Sequence, residues 1–406
     1  MSACRVSPLP VVMGLLAVSV AWGSDWPMLA RDARRSGWTP DEFSPPVRRK
    51  WYRSFHREGL ACGLQPVIAS GKVYVGTMHG VMHAIDADTG KDVWTFRAGG
   101  AILHSAAIAD GRCFFGAADG KVYALDARTG DRLWTCQMQK AIWNAPVVAE
   151  RKVFIGGRDG YFYALDQASG EIAWRTRLGG AILCSPAYDE GRVYVAAEDM
   201  KAYCLSAGDG EVLWTARLYG VSARAYHPVV AGDVVIFTTQ PGLGKYGPLD
   251  VLLDACRRIG LKPRQRVGAD PRGREETSAA KAAKDAHNKP LLKDPKVLAR
   301  QLELVRELHR QRPHTRSFFA FDKLSGAEPW IAPICWEESC GGPGNPPIVS
   351  PDGRRVLVKY ALFTWARHGE YTPYLRIGSL DLATGDISPL HDPMVYSMPV
   401  GLTHDE

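Results

Sequence analysis

Five side chains of unlike chemistry occupy one position of a 40-residue period and are the first candidates for a binding site. These residues are Leu64, His104, Asn144, Cys184 and Arg224. Each stands just before or within a short apolar segment that we predict to begin a strand. His104 and Arg224 have the side chains to hold an anion or a carboxylate. The alternative is that the five are solvated residues without a ligand.

Cysteine and metal-ligand spacings point to no further chemistry. After residue 23 the chain carries eight cysteines, and Cys335 and Cys340 are close enough in sequence to bridge across a loop. The others are equally compatible with buried thiols. The chain has neither a Cys-x-x-Cys-His nor a Cys-x-x-Cys motif, so the sequence predicts no covalent haem, no metal site and no catalytic residue.

A repeat of 40 residues organises the elements that must position these side chains. Tryptophan recurs at this step, as do an aspartate and a glycine: Trp94, Trp134, Trp174 and Trp214; Asp86, Asp126 and Asp166; Gly90, Gly130, Gly170 and Gly210. Each period contains four short apolar segments separated by turn residues, which is typical of a β-propeller blade. The sequence therefore predicts an all-β propeller, with the five candidates at the mouth of its central channel.

The recurring residues have structural roles in this interpretation. Asp and Gly in the Asp-x-x-x-Gly spacing suit a tight turn, because Asp can bond the backbone and Gly tolerates a positive φ. The tryptophans, including Trp330 further along, are expected to lie on the outermost strands and to cover the neighbouring blade. Stacking of one ring on a sugar or a quinone is the alternative.

A basic insertion interrupts the fifth period. The distance from Trp214 to Trp330 is 116 residues, and the window 241–316 holds 18 Lys/Arg against 9 Asp/Glu, a net charge of +9 in a chain of net +7. We predict helices over Pro248–Ile259 and Asp294–Gln311, the second with an apolar stripe that packs on the propeller rim. The stripe is Val297, Leu298, Leu302, Val305 and Leu308. A solvated segment is the simplest interpretation; contact with anionic lipid or an acidic partner is the alternative, and no nucleic acid is expected.

The two ends of the chain carry separate signals. Residues 1–23 have a short basic head, an apolar run and small residues before Ser24, as in a secretory signal peptide. Residues 24–406 would then form a periplasmic or secreted propeller without a transmembrane segment. Six or seven blades are visible where a closed ring has 7–8, so the ring is expected to be incomplete at the C-terminus. Arg49–Trp51 looks like a lone outermost strand, and the segment from Tyr396 like the first strand of a seventh blade.

The segments Gly111–Trp134 and Arg151–Trp174 closely resemble the pyrroloquinoline-quinone (PQQ) propeller repeat, with Gly-Lys-Val-Tyr-x-Gly, Tyr-Ala-Leu-Asp-x-x-Thr-Gly and Trp as its signature. The resemblance implies a superfamily that contains quinoprotein dehydrogenases and non-enzymatic members such as the outer-membrane protein assembly factor BamB. The dehydrogenases carry a disulfide between adjacent cysteines and a Glu-Asn-Asp calcium site. Neither is recognisable in this sequence.

We therefore expect a BamB-like, non-catalytic binding or scaffold module for protein partners, acting in outer-membrane protein assembly and needing no cofactor. Peripheral association with a membrane is compatible with this role. One alternative is a PQQ-dependent dehydrogenase with bound Ca²⁺. The other is a surface sensor or carbohydrate-binding propeller.

Overall fold

The computed structural model describes residues 24–41, 46, 48–223, 227–240, 251–261, 290, 293–334, 346–361, 374–390 and 394–395. Over these residues the strands form six antiparallel sheets in chain order. Blades one to four each have four strands: β1 (Val67–Ala69), β2 (Lys72–Gly76), β3 (Val81–Asp86) and β4 (Asp92–Arg97); β5 (Ala107–Ala109), β6 (Arg112–Gly116), β7 (Lys121–Asp126) and β8 (Arg132–Gln137); β9 (Val147–Ala149), β10 (Lys152–Gly156), β11 (Tyr161–Asp166) and β12 (Ile172–Arg177); β13 (Ala187–Asp189), β14 (Arg192–Ala197), β15 (Lys201–Ser206) and β16 (Val212–Arg217).

Blades five and six depart from this pattern. Blade five contains β17 (Val229–Ala231), β18 (Val234–Thr238) and β19 (Phe318–Asp322). Blade six contains β20 (Ile348–Val349), β21 (Arg355–Ala361), β22 (Tyr374–Asp381) and β23 (Ile387–Pro389), and the short strand β24 (Met394–Val395) also pairs with β22. The prediction of four-stranded antiparallel blades is thus confirmed for most of the repeats.

The blades stack side by side in chain order. Each innermost strand contacts the innermost strand of the next blade, from β1 through β5, β9, β13 and β17 to β20. The hydrophobic clusters combine residues of neighbouring blades. In β7, Val122 to Leu125 are all buried, whereas Trp134 is the buried residue of the outermost strand β8. The central strands are apolar on both sides because both of their faces are covered by other blades.

The repeated tryptophans pack on the turn glycines of the next blade. The Trp94 indole nitrogen donates to Ala127 O at 3.1 Å, and a Cβ built on Gly130 would lie 2.7 Å from the Trp94 ring. The same arrangement recurs for five further pairs: Trp51 on Gly90, Trp134 on Gly170, Trp174 on Gly210, Trp214 on Gly326 and Trp330 on Gly385. The ring therefore sits where only a residue without a side chain leaves room.

The turn aspartates accept hydrogen bonds from the backbone that follows them. Asp126 Oδ1 accepts from the amides of Arg128 at 2.8 Å and Thr129 at 2.9 Å. Asp86, Asp126 and Asp166 each accept hydrogen bonds from the residues three and two positions later. These bonds stabilise the ionised carboxylate and hold its pKa below the ordinary value. These residues are half-buried, and their carboxylates accept hydrogen bonds within their own turns.

The prediction of a fourth strand in blade five is wrong, because the described segment up to Trp330 pairs with no other strand. Pro329 and Pro333 deprive it of two backbone donors, as proline does wherever a ladder needs an N–H. Its carbonyls bond the insertion instead, with Arg306 Nε donating to Ile331 O at 3.3 Å and His309 Nε2 lying 3.1 Å from Ile334 O. Trp330 nevertheless keeps the anchor position of the other tryptophans.

The insertion leaves the propeller after β18 and contributes two described helices, α1 (Val251–Arg258) and α2 (Pro295–Gln311), then a 3₁₀ turn at Pro313–Thr315. Both helices share a hydrophobic core with blades five and six. Four residues of the predicted stripe of α2 pack in this core, namely Val297, Leu298, Leu302 and Val305. The buried residues of the helix are Val297, Gln301, Leu304, Val305 and His309, so the buried face also includes polar side chains that the stripe left out. His309 is on the buried face because its ring nitrogens find Thr315 and the Ile334 carbonyl there. Pro248 to Asp250 and the middle of the insertion lie outside the described residues.

Three further predictions fall partly or wholly outside the described residues. These are the signal peptide over residues 1–23, the bridge between Cys335 and Cys340, and the seventh-blade segment from Tyr396. Arg49–Trp51 is described but forms no strand, so this prediction is wrong as to secondary structure. Trp51 nevertheless covers Gly90 of blade one, as an outermost-strand tryptophan would. The number of blades in a closed ring stays a prediction.

Candidate functional site

An N-terminal segment, residues 24–37, crosses the innermost strands and is called the strap below. Trp26 pairs with Ile68 of β1, and the carbonyl of Pro27 accepts from Ile108 N of β5 at 2.7 Å. Further along, the carbonyls of Ala33, Arg34 and Ser36 accept from backbone amides of blades four, five and six. The donors are Tyr188 N at 2.8 Å, Val230 N at 2.9 Å and Val349 N at 2.9 Å. The strap thus connects five blades through their inner strands.

The side chain of Arg35 connects the strap to blade three as well. Its side chain is fully buried, with 0% of its surface exposed. Nε donates to Pro186 O at 2.9 Å, Nη1 to Leu29 O at 2.7 Å and Nη2 to Pro146 O at 3.0 Å. Pro146 and Pro186 stand just before the innermost strands of blades three and four. Burial lowers the pKa of Arg35 to about 9, so the guanidinium is still charged at neutral pH.

The residues at the predicted channel mouth have different environments. Leu64 and His104 are half-buried, Asn144 and Cys184 are buried, and Arg224 lies outside the described residues. Asn144 Nδ2 donates to Gly156 O and to Ile182 O, both at 3.0 Å, and so joins blade three to the loop before blade four. Burial raises the pKa of the Cys184 thiol to about 12, which keeps it neutral. A ligand role for these residues stays a prediction.

Two serines next to these positions were missed by sequence reasoning. The Gln65 amide donates to Ser105 Oγ and the Ala145 amide to Ser185 Oγ, each at 2.9 Å. The first hydrogen bond therefore joins blades one and two, and the second joins blades three and four. The signal was the recurrence of serine at one repeat position, 80 residues apart, in Ser105 and Ser185.

Two histidines lie near the strap, the half-buried His104 and the buried His227. His104 Nδ1 accepts from the Ser105 amide at 3.0 Å, and its Nε2 is 3.5 Å from Ser185 Oγ. Burial and, second, the charge of Arg35 lower the pKa of His104 to about 4. His227 is 7% exposed, and burial followed by the charges of Arg35 and His104 lowers its pKa well below the ordinary value. Both imidazoles are therefore neutral at neutral pH.

A cluster of charges fastens the start of the propeller to blade one. His83 is buried between two carboxylates, with Nε2 3.0 Å from Glu58 and Nδ1 3.1 Å from Asp92. Arg53 adds an ion pair to Asp92 at 2.7 Å. Residues 53 to 58 follow Trp51, so the cluster holds the segment that carries this tryptophan against β3 and β4.

The cluster predicts a loss of stability in acid. Burial alone would raise the pKa of Glu58 and of Asp92, but the bonds and charges of His83 and Arg53 outweigh it and hold both values below normal. Carboxylates with lowered pKa values stabilise the fold above their unfolded pKa of about 4, and this contribution disappears as the pH falls through the folded values. We expect Asp92→Asn to lose about 1 kcal/mol at neutral pH and to show a shallower decline below about pH 4.

Urea unfolding at a series of pH values measures this effect. The control is Glu171→Gln, which removes an exposed carboxylate of blade three. If Asp92→Asn and Glu171→Gln give parallel curves of stability against pH, the cluster does not contribute as inferred.

Over the described residues, no group of three or more His, Cys, Asp or Glu is arranged to hold a metal ion. The described helices include none that is long and apolar enough to cross a membrane.

The four-stranded blades, the tryptophan anchors and the 40-residue repeat define a β-propeller of PQQ-like repeats. The family model described as "Outer membrane protein assembly factor BamB" matches residues 20–144 and 138–305. These ranges cover more than half of the chain, which therefore belongs to this family.

Solved structures similar to this chain include a natural and a designed protein. BamB from Moraxella catarrhalis is 17% identical, with 80% of this chain and 72% of that chain covered and a TM-score of 0.48. The computationally designed Ika8 protein is 14% identical, with 81% and 74% covered and a TM-score of 0.48. No curated protein matches the sequence.

Proposed function

We propose that this protein is an exported, periplasmic scaffold that binds protein partners without catalysis, in the assembly of outer-membrane proteins. Membership of the BamB family supports a role of this kind. The strap covers the inner strands through backbone hydrogen bonds, and the Asn144 amide donates to carbonyls within the propeller. Recognition is therefore assigned to the outer surface.

The observation that carries the proposal is a set of exposed apolar side chains on one face. In an antiparallel blade, the connection between the second and third strands lies at the same end as the connection to the next blade. This end of the propeller is called the loop face. Leu60, Met78 and Val221 are 44%, 49% and 56% exposed there. The Met78 amide donates to Gly59 O, which brings Leu60 and Met78 together. Exposed apolar groups on connecting loops are typical of protein-binding surfaces.

An aromatic and cationic pair supports the same face. The Arg158 guanidinium lies 3.9 Å from the centre of the Trp143 ring, and the Arg158 amide donates to Ala141 O on this side of blade three. Tryptophan and arginine are the side chains most enriched where binding energy concentrates in protein interfaces. The insertion also leaves the propeller from the loop face, after Gln240.

A direct binding assay tests the proposal. Residues 24–406 are immobilised, and a purified outer-membrane β-barrel protein diluted from urea is passed over them, with an unfolded soluble protein for comparison. We expect Met78→Glu combined with Val221→Glu to weaken binding by about tenfold, because charges replace apolar contacts. The control is Leu324→Glu, equally exposed at the opposite end of blade five. Equal binding by all variants, or no preference for the barrel protein, would contradict the proposal.

We further propose that the protein acts without bound PQQ or Ca²⁺. The support comes from the sequence, which has no adjacent cysteine pair. An absorbance spectrum after incubation with PQQ and Ca²⁺, followed by dye reduction with alcohols and sugars, tests this. Stoichiometric quinone with turnover of the dye would make the protein a dehydrogenase.

A further inference from the structure

Three basic side chains lie where the strap meets the starts of the inner strands of blades four and five. Arg35 Nε donates to Pro186 O, and His104 Nε2 lies 3.5 Å from the hydroxyl of the preceding Ser185. His227 stands three residues before Val230, whose amide donates to the Arg34 carbonyl of the strap. Arg35 and His104 thus meet the same dipeptide of blade four, and His227 approaches the strap from blade five.

This cluster has donors in excess of acceptors. Three of the five N–H groups of Arg35 reach carbonyl oxygens, and the described residues give it no ion pair. His227 Nε2 is buried without a hydrogen-bond partner. An unpartnered buried polar atom costs free energy and is uncommon in folded proteins.

The nearby carboxylates are directed elsewhere. Asp32 raises the pKa of Arg35 through its charge, but its oxygens accept from the amide and hydroxyl of Ser36. Glu198 accepts from Ser222 Oγ at 3.0 Å and from the Ala223 amide at 3.2 Å. Among the described residues, the other titratable neighbour of Arg35 is the neutral Cys184 thiol. Within the described ranges, the cluster therefore carries the charge of Arg35 without a carboxylate in an ion pair with it.

We propose that Arg35, His104 and His227 form a binding site for a small oxyanion, a carboxylate or a phosphate. The oxyanion would supply the acceptor that His227 Nε2 lacks and would balance the buried guanidinium charge. His104, which is half-buried, gives the site its access to solvent. The site lies inside the propeller and does not depend on the function proposed for the loop face.

Binding should strengthen as the pH falls. A bound anion favours protonation of His227, whose pKa is lowered in the unoccupied site by burial and by the charges of Arg35 and His104. Proton uptake is then coupled to anion binding, so the affinity for phosphate or acetate rises between about pH 7.5 and pH 5.5. Acetate and phosphate, compared at each pH, distinguish the two chemical sources of the oxyanion.

Thermal unfolding of residues 24–406 in phosphate, acetate or chloride at equal ionic strength tests the site. We expect phosphate or acetate, but not chloride, to raise the unfolding midpoint in a saturable way. His227→Leu should bind about tenfold more weakly. Without anion, this variant should be at least as stable as the parent protein, because it removes an unpartnered polar group. Loss of binding is thereby separated from misfolding.

His79→Gln is the control, since His79 is exposed on the loop face of blade one. It should keep the full response. An equal response in His227→Leu would mean general salt effects on the protein surface, and no response to either oxyanion over this pH range would mean that there is no site. Either result would overturn the proposal.

Discussion

Arg35→Met is expected to lower the free energy of unfolding by about 3–5 kcal/mol, since three buried carbonyls lose their donor at once. The acceptors are Leu29, Pro146 and Pro186, and the first belongs to the strap itself. Methionine fills much of the volume but donates no hydrogen bond. Blade three would lose its only described side-chain hydrogen bond to the strap, whereas blade four would keep the ion pair between Arg34 Nε and Asp189 Oδ1 at 2.6 Å.

Urea unfolding followed by tryptophan fluorescence measures this loss, and hydrogen exchange locates it. The amides of Ile108, Tyr188, Val230 and Val349 donate to strap carbonyls, so they should exchange faster in Arg35→Met. The control is Arg49→Met at an exposed position of the same end of the chain, where the change should stay within about 0.5 kcal/mol. A difference of less than about 1 kcal/mol between the two variants would show that Arg35 does not hold the strap.

Gly130→Ala is the second change with a large expected effect. Gly130 has a φ of +80°, and its added Cβ would approach the Trp94 ring to 2.7 Å. The left-handed backbone alone costs about 1–2 kcal/mol in a non-glycine residue, and overpacking adds about 1–3 kcal/mol. We therefore expect a total of about 2–5 kcal/mol.

Gly111→Ala separates the two costs. Gly111 has a similar φ of +71°, and a Cβ there would meet nothing within 4 Å. It should lose only the backbone contribution. A double-mutant cycle with Trp94→Leu provides the second comparison, because Gly130→Ala should cost less when the ring is absent. Equal losses in Gly130→Ala and Gly111→Ala would mean that the tryptophan contact is not the reason for glycine.

The two glycines illustrate the limit of sequence reasoning in this propeller. Neither glycine lies next to a functional motif, and a turn that requires a positive φ is enough to explain each of them. That Gly130 also makes room for Trp94 depends on two blades being adjacent, 36 residues apart in the chain. The repeat contained this relation, since the pair recurs at each step, but only packing reveals its cause.

Blade five shows a second limit. The period predicts a strand up to Trp330, and the tryptophan does occupy its anchor position. Pro329 and Pro333 were visible in the sequence and argued against a ladder there. What they could not indicate is that Arg306 and His309 of the insertion would bond the freed carbonyls. This pairing joins residues that are more than twenty positions apart and follows from no local pattern.

The sequence by itself determined the number of strands in a blade, the spacing of blades, the turns and the position of the insertion. These properties depend on local periodicity and turn chemistry, which repeat along the chain. The tertiary structure alone decided that the strap crosses the inner strands and that the charges of Arg35 and His104 act on His227. Residues 35 and 227 belong to no common motif, and only the stacking of successive blades brings them together, because proximity in a propeller is set by its axis rather than by distance along the chain.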